Sequence, residues 1–76
     1  MKHLPIVSGK DMIRALARAG FSFVRQKGSH VRMKKQLPTI RLNVTIPLHE
    51  ELDRTTVTSI LKASGISEEE FLRYLE

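Results

Sequence analysis

Apolar residues recur at three- and four-residue intervals early in the chain. Met12, Ile13, Leu16 and Ala17 fall on one side of a helix, with Lys10, Arg14 and Arg18 on the other. Ser8 suits an N-cap and Asp11, three residues on, closes a weak capping box. Gly20 follows as the residue that ends the helix. Before it, "MKHLPIV" contains a proline and reads as an arm that can pack through Leu4, Ile6 and Val7.

The period then shortens. "FSFVRQK" and "HVRMKK" are strand-like and separated only by Gly28-Ser29, a two-residue connection that fits a type II′ hairpin. After a loop through Gln36-Leu37-Pro38, "TIRLNVTIP" alternates Ile40, Leu42, Val44 and Ile46 with Arg41, Asn43 and Thr45, the clearest period of two in the chain. Val57, Ile60 and Leu61 share a face of a second helix from about Thr55 to Ser64, stopped by Gly65. Ser67 and Glu70 form a capping box for a short last helix carrying Phe71, Leu72 and Leu75. The expected fold is therefore α+β: α-β-β-β-α with a three-stranded antiparallel sheet, helices on one face and a short extra C-terminal helix. The other sheet face is left open, and function is expected there.

Within the hairpin, a Gly28-Ser29 turn sets Lys27 opposite His30. The alternation then puts Arg25, Arg32 and Lys34 on their face and sends Val24, Val31 and Met33 toward the core. Phe21 and Phe23 break the pattern, since strict alternation leaves both on the basic face. Either they stack on bases there, or a twist or bulge at the strand start returns at least one to the core.

The chain has 76 residues, enough for one domain (1–76) near the lower limit for folding on a hydrophobic core alone. With no cysteine, disulfides and thiolate chemistry are excluded. The three histidines are separated and have no carboxylate at ligand spacing, so neither a metal site nor a cofactor is expected. No apolar run is long enough to span a membrane or to read as a signal peptide, and a cytoplasmic setting is expected. Charge is unevenly placed. From Lys10 to Arg41 the bases face the single acid Asp11, whereas Glu50, Glu51, Asp53, Glu68, Glu69, Glu70 and Glu76 dominate the end. A basic stripe of this kind suits a polyanion, most commonly nucleic acid, although it also describes an ordinary solvated surface.

A histidine among cations on an open sheet can serve RNA cleavage. The ribose 2′-OH attacking its neighbouring phosphorus needs a base for its proton and cations for the charge growing on the phosphoryl oxygens. Imidazole titrates near neutral pH, so His30 can act as base or as leaving-group acid while Lys27, Arg25 or Arg32 hold the phosphate. The plainer possibility is a polar surface residue on a charged hairpin. His49, after Pro47, is an acid partner or a capping residue, and His3 in the arm has no chemical role.

Taken in order, "LPIVSGKDMIRALARAGF", "VRQKGSHVRM", "TIPLH" and "TSILKASGISEEEFL" resemble the HicA toxins of toxin–antitoxin systems, across nearly the whole chain. The resemblance implies a double-stranded-RNA-binding-domain-like fold, ribosome-independent cleavage of mRNA and neutralisation by a HicB-type antitoxin. It makes His30, in the Gly-Ser-His step, the catalytic residue. Many members carry Gly-Thr where this chain has Thr55-Thr56, and Thr55 can N-cap the second helix itself. In such a fold, helix ends and loops also reach RNA. Lys10 and Arg14, with Arg18, are therefore expected to join Lys27, Ser29, Arg25, Arg32 and Lys34 in RNA contact. Three readings follow: a metal-independent endoribonuclease toxin using His30, a non-catalytic RNA-binding module on the same scaffold, and a domain whose basic face docks an acidic protein.

Overall fold

In the computed structural model, residues 4–76 are described. His3, expected to be chemically idle, lies outside them. The elements run α1 (Gly9–Arg18), β1 (Ser22–Lys27), β2 (His30–Gln36), β3 (Arg41–Pro47), α2 (Arg54–Ser64) and α3 (Glu68–Leu75). The strands form one antiparallel sheet in the order β1-β2-β3. This is the α+β arrangement expected from the sequence, short last helix included.

Each helix starts where its cap residues place it. The Ser8 hydroxyl accepts from the Asp11 amide at 3.0 Å while the Ser8 amide donates to the Asp11 carboxylate at 3.1 Å. Ser67 and Glu70 repeat the arrangement at α3, both bonds at 3.1 Å. Asp53, rather than Thr55, caps α2: its carboxylate accepts from the Thr56 amide at 2.7 Å, so the helix begins one residue before the expected start. An aspartate can receive the third amide of the turn and adds a negative charge at the positive end of the helix. Gly65 closes α2 at φ +73°, a conformation that suits glycine.

The helices and one sheet face enclose the core. Met12, Leu16, Met33, Ile46 and Phe71 are its largest fully buried side chains, with Val31, Val44, Val57, Ile60 and Leu61 around them. Burying each such side chain stabilises the fold by about 1.5–3 kcal/mol before entropy is counted. Four expected core positions differ. Ala17 is exposed and Ala15 and Ala19 are buried instead, which turns the apolar stripe of α1 slightly. Ile6 is exposed, whereas Val7 is buried and accepts a backbone hydrogen bond from Leu52 at 2.8 Å. Ile40 precedes β3 in the β2–β3 turn and is exposed.

Val24 is the fourth. The register passes from Phe23↔Met33 to Arg25↔Arg32, so Val24 is an extra residue in a bulge and is exposed rather than buried. The bulge reverses the faces before it. Phe23 shares the side of buried Met33, and Phe21, two residues earlier, enters the core at 4 % exposure. Phe23 stays exposed on the edge strand but off the basic face, so neither phenylalanine is set there for base stacking. Lys35 holds the joint: its Nζ donates to the Ala19 carbonyl at 2.8 Å and lies 5.9 Å from the centre of the Phe21 ring.

Candidate RNA interface

Gly28 has φ +60° and no non-glycine residue has positive φ among those described, so the Gly28-Ser29 turn has the type II′ pattern. Lys27 pairs with His30, Arg25 with Arg32 and Ser22 with Lys34. Across the other ladder, His30 pairs with Pro47, Arg32 with Thr45, Lys34 with Asn43 and Gln36 with Arg41. Paired residues share a face. The uncovered face therefore carries His30, Arg25, Lys27, Arg32, Lys34 and Arg41 and no carboxylate.

Arg25, Lys27, His30, Arg32 and Thr45 line a depression of about 160 Å³ in this face. All five are exposed, so their cations stay hydrated until a ligand arrives. With positive charge on three sides and an imidazole at one end, the depression fits a phosphodiester. The end holding His30 is braced from below. The Leu48 amide donates to the Ser29 carbonyl at 2.6 Å and the Gly9 amide to the His49 carbonyl at 2.9 Å. Gly9 meets this corner so closely that a Cβ there would lie 2.2 Å from the Pro47 carbonyl oxygen. Turn, strand end and helix start thus meet in one hydrogen-bonded corner at the end of the sheet that carries His30.

The sequence-predicted contacts separate into groups. Arg25, Lys27, His30 and Arg32 come together, Lys34 lies further along the same face, and Ser29 is in the turn, where its carbonyl anchors Leu48. Lys10 lines a second depression with Ser8, Leu48, His49 and Glu50. Arg14 is elsewhere: it pairs with Asp11, and near it the Arg18 guanidinium donates to the Tyr74 carbonyl at 2.6 Å and to the Glu76 carbonyl. Sequence reasoning passed over Thr45, Asn43 and Arg41 as site residues. The period of two in β3, carried through the register, would have found all three. Among the described residues no three His, Asp or Glu side chains converge as metal ligands. No helix among them is long and apolar enough to cross a membrane.

The family model of the HicA toxins of bacterial toxin–antitoxin systems matches residues 9–66, from the start of α1 to just past α2. The chain belongs to the HicA toxin family. The match takes in the whole sheet, and with it the basic face and His30. A toxin of this kind has an antitoxin as its partner. No curated protein matches the chain.

Proposed function

We propose that this HicA-family chain is an endoribonuclease that cleaves mRNA on the uncovered sheet face, with His30 as its general acid–base. The single observation that carries the reading is His30 in a depression walled by Arg25, Lys27, Arg32 and Thr45, on a face without carboxylates.

Cleavage is a transfer within the RNA. The 2′-oxygen bonds to phosphorus, the bond from phosphorus to the 5′-oxygen breaks, and a 2′,3′-cyclic phosphate and a 5′-hydroxyl result. Neutral His30 takes the 2′-OH proton, or protonated His30 supplies the one the 5′-oxygen needs, and solvent water exchanges the other proton. Lys27, Arg25 and Arg32 neutralise the charge that builds on the non-bridging oxygens. The requirement for a 2′-OH selects RNA over DNA. Charge stabilisation comes from side chains, so this route draws on no metal.

The order of elements agrees with a double-stranded-RNA-binding-domain-like scaffold, but the bases are not all placed for one contact. Arg25, Lys27, Arg32 and Lys34 form the main RNA surface, Ser29 sets its turn, and Lys10 extends it at the neighbouring corner. Arg14 is engaged with Asp11 and lies apart. A HicB-type antitoxin neutralises the toxin by covering the basic face.

The deciding experiment expresses the wild type and His30→Ala without antitoxin and follows growth and mRNA integrity. Growth arrest and mRNA loss in the wild type alone support the assignment. Equal effects from both proteins would remove His30 from the chemistry, and RNA binding without cleavage by either would favour a non-catalytic RNA-binding module.

A further inference from the structure

β3 borders the basic face and is the unprotected edge of the sheet. Its register shows which way its backbone groups point. The Leu37 amide donates to the Ile40 carbonyl at 2.8 Å and the Leu48 amide to the Ser29 carbonyl at 2.6 Å. Alternate residues of an antiparallel ladder bond inward. Residues 42, 44 and 46, in phase with Ile40 and Leu48, therefore bond to β2. Arg41, Asn43 and Thr45 direct their amides and carbonyls away from the sheet, and no hydrogen bond engages those groups among the described residues. β1, at the opposite edge, is interrupted by the Val24 bulge, a common way to block strand addition. β3 pairs without interruption from Arg41 to Pro47.

We propose that the free edge of β3 docks an extended acidic segment of a partner protein, which adds to the sheet as a fourth strand. The chemistry of that segment follows from the two faces it would continue. Its residues beside Arg41, Asn43 and Thr45 join the face that carries Arg32, Lys34 and Arg41 and holds no carboxylate, so they are acidic. Its alternate residues lie beside half-buried Leu42 and, at the turn, exposed Ile40, so they are aliphatic. Backbone hydrogen bonds supply affinity and the acidic–aliphatic alternation supplies specificity. RNA can match the charge of this face but cannot continue the ladder. The regulatory meaning of such docking rests on the reading of the face as the RNA site, since the acidic side chains would occupy the cations that hold phosphate.

The test adds a capped peptide of alternating glutamate and valine to the isotope-labelled full chain and follows amide hydrogen exchange. Docking at the edge slows exchange at Arg41, Asn43 and Thr45 by roughly tenfold or more, while a lysine–valine peptide does nothing. Asn43→Pro removes an outward amide and keeps the inward ladder, so it should fold and bind the acidic peptide at least about tenfold more weakly. Unchanged affinity of Asn43→Pro, binding without protection of the three amides, or no binding at millimolar peptide would each overturn the proposal. If Asn43→Pro does not fold, the exchange pattern of the wild type decides alone. Single-stranded RNA giving the same protection would also overturn it. RNA cleavage is assayed separately, so a failure of the nuclease reading leaves the exchange result standing.

Discussion

Lys27 and His30 stand directly opposite each other across the Gly28-Ser29 turn, on the sheet face that no helix covers. Gly28, at φ +60°, permits the two-residue turn that creates this pairing. A slip of one residue would send His30 to the core side and Val31 to the surface. The position of the imidazole is thus decided by backbone geometry, before any side-chain contact.

His30→Ala should impair cleavage and leave the fold intact, because His30 is exposed and is not part of the buried core. General acid–base catalysis is typically worth about 10²–10⁴-fold, so single-turnover cleavage should fall by that order. RNA affinity should change only a few-fold. A parallel loss of affinity and rate would show that His30 binds RNA rather than transferring protons.

Salt dependence should separate the two groups of bases. On single-stranded RNA each phosphate contact contributes about 0.7 to the slope of log affinity against log salt. Arg32→Gln and Lys27→Gln should each lower the slope by about that amount. Arg14→Gln should leave it unchanged, since Arg14 is paired with Asp11 near the C-terminal end of α3. An equal effect from Arg14→Gln would move the RNA footprint onto the helix layer.

The sequence made the hairpin legible because two local rules agree there: a Gly-Ser turn fixes the pairing, and alternation assigns the faces. The same rules placed Val31, Met33, Val44 and Ile46 correctly in the core. They failed at Val24, because a bulge shifts the count and leaves no turn residue to announce it. They could not show where Arg14 lies: the fold sets it beside Asp11 and near the distant end of α3, a neighbourhood that no local pattern announces. His30 was legible as a neighbour of cations from spacing, whereas the catalytic role proposed for it rests on resemblance to the HicA toxins.

Acid should weaken the helix starts together. The Ser8 amide holds the Asp11 carboxyl below its ordinary range, aided by Arg14, the Thr56 amide does so for Asp53, and the Ser67 amide for Glu70. Because these groups are more acidic folded than unfolded, their contribution is complete above the unfolded value, about 4. It is lost as pH falls through the folded values. The Tm should therefore drop on acidification below about pH 4, and combining Asp11→Asn, Asp53→Asn and Glu70→Gln should flatten that drop. An equally steep drop in the triple variant would assign acid sensitivity to other carboxylates.

Gly9 tests the corner beneath the histidine. A methyl group at this position would meet the Pro47 carbonyl oxygen at 2.2 Å, and Pro47 is the β3 partner of His30. The collision is with backbone, which cannot rotate away as a side chain can. Gly9→Ala must therefore part α1 from the end of β3 and strain the bond from the Gly9 amide to the His49 carbonyl. Overpacking of this kind costs about 1–3 kcal/mol, measurable as a lower urea midpoint. The displacement should also shift the His30 imidazole resonances, although Gly9 is not beside His30 in the sheet. Ala17→Gly lowers stability through helix propensity, by roughly 1 kcal/mol, and is the control. Ala17 is exposed on α1, so it should leave those resonances where they are. If Gly9→Ala moved them no more than Ala17→Gly, the corner would be a packing contact with no hold on the imidazole.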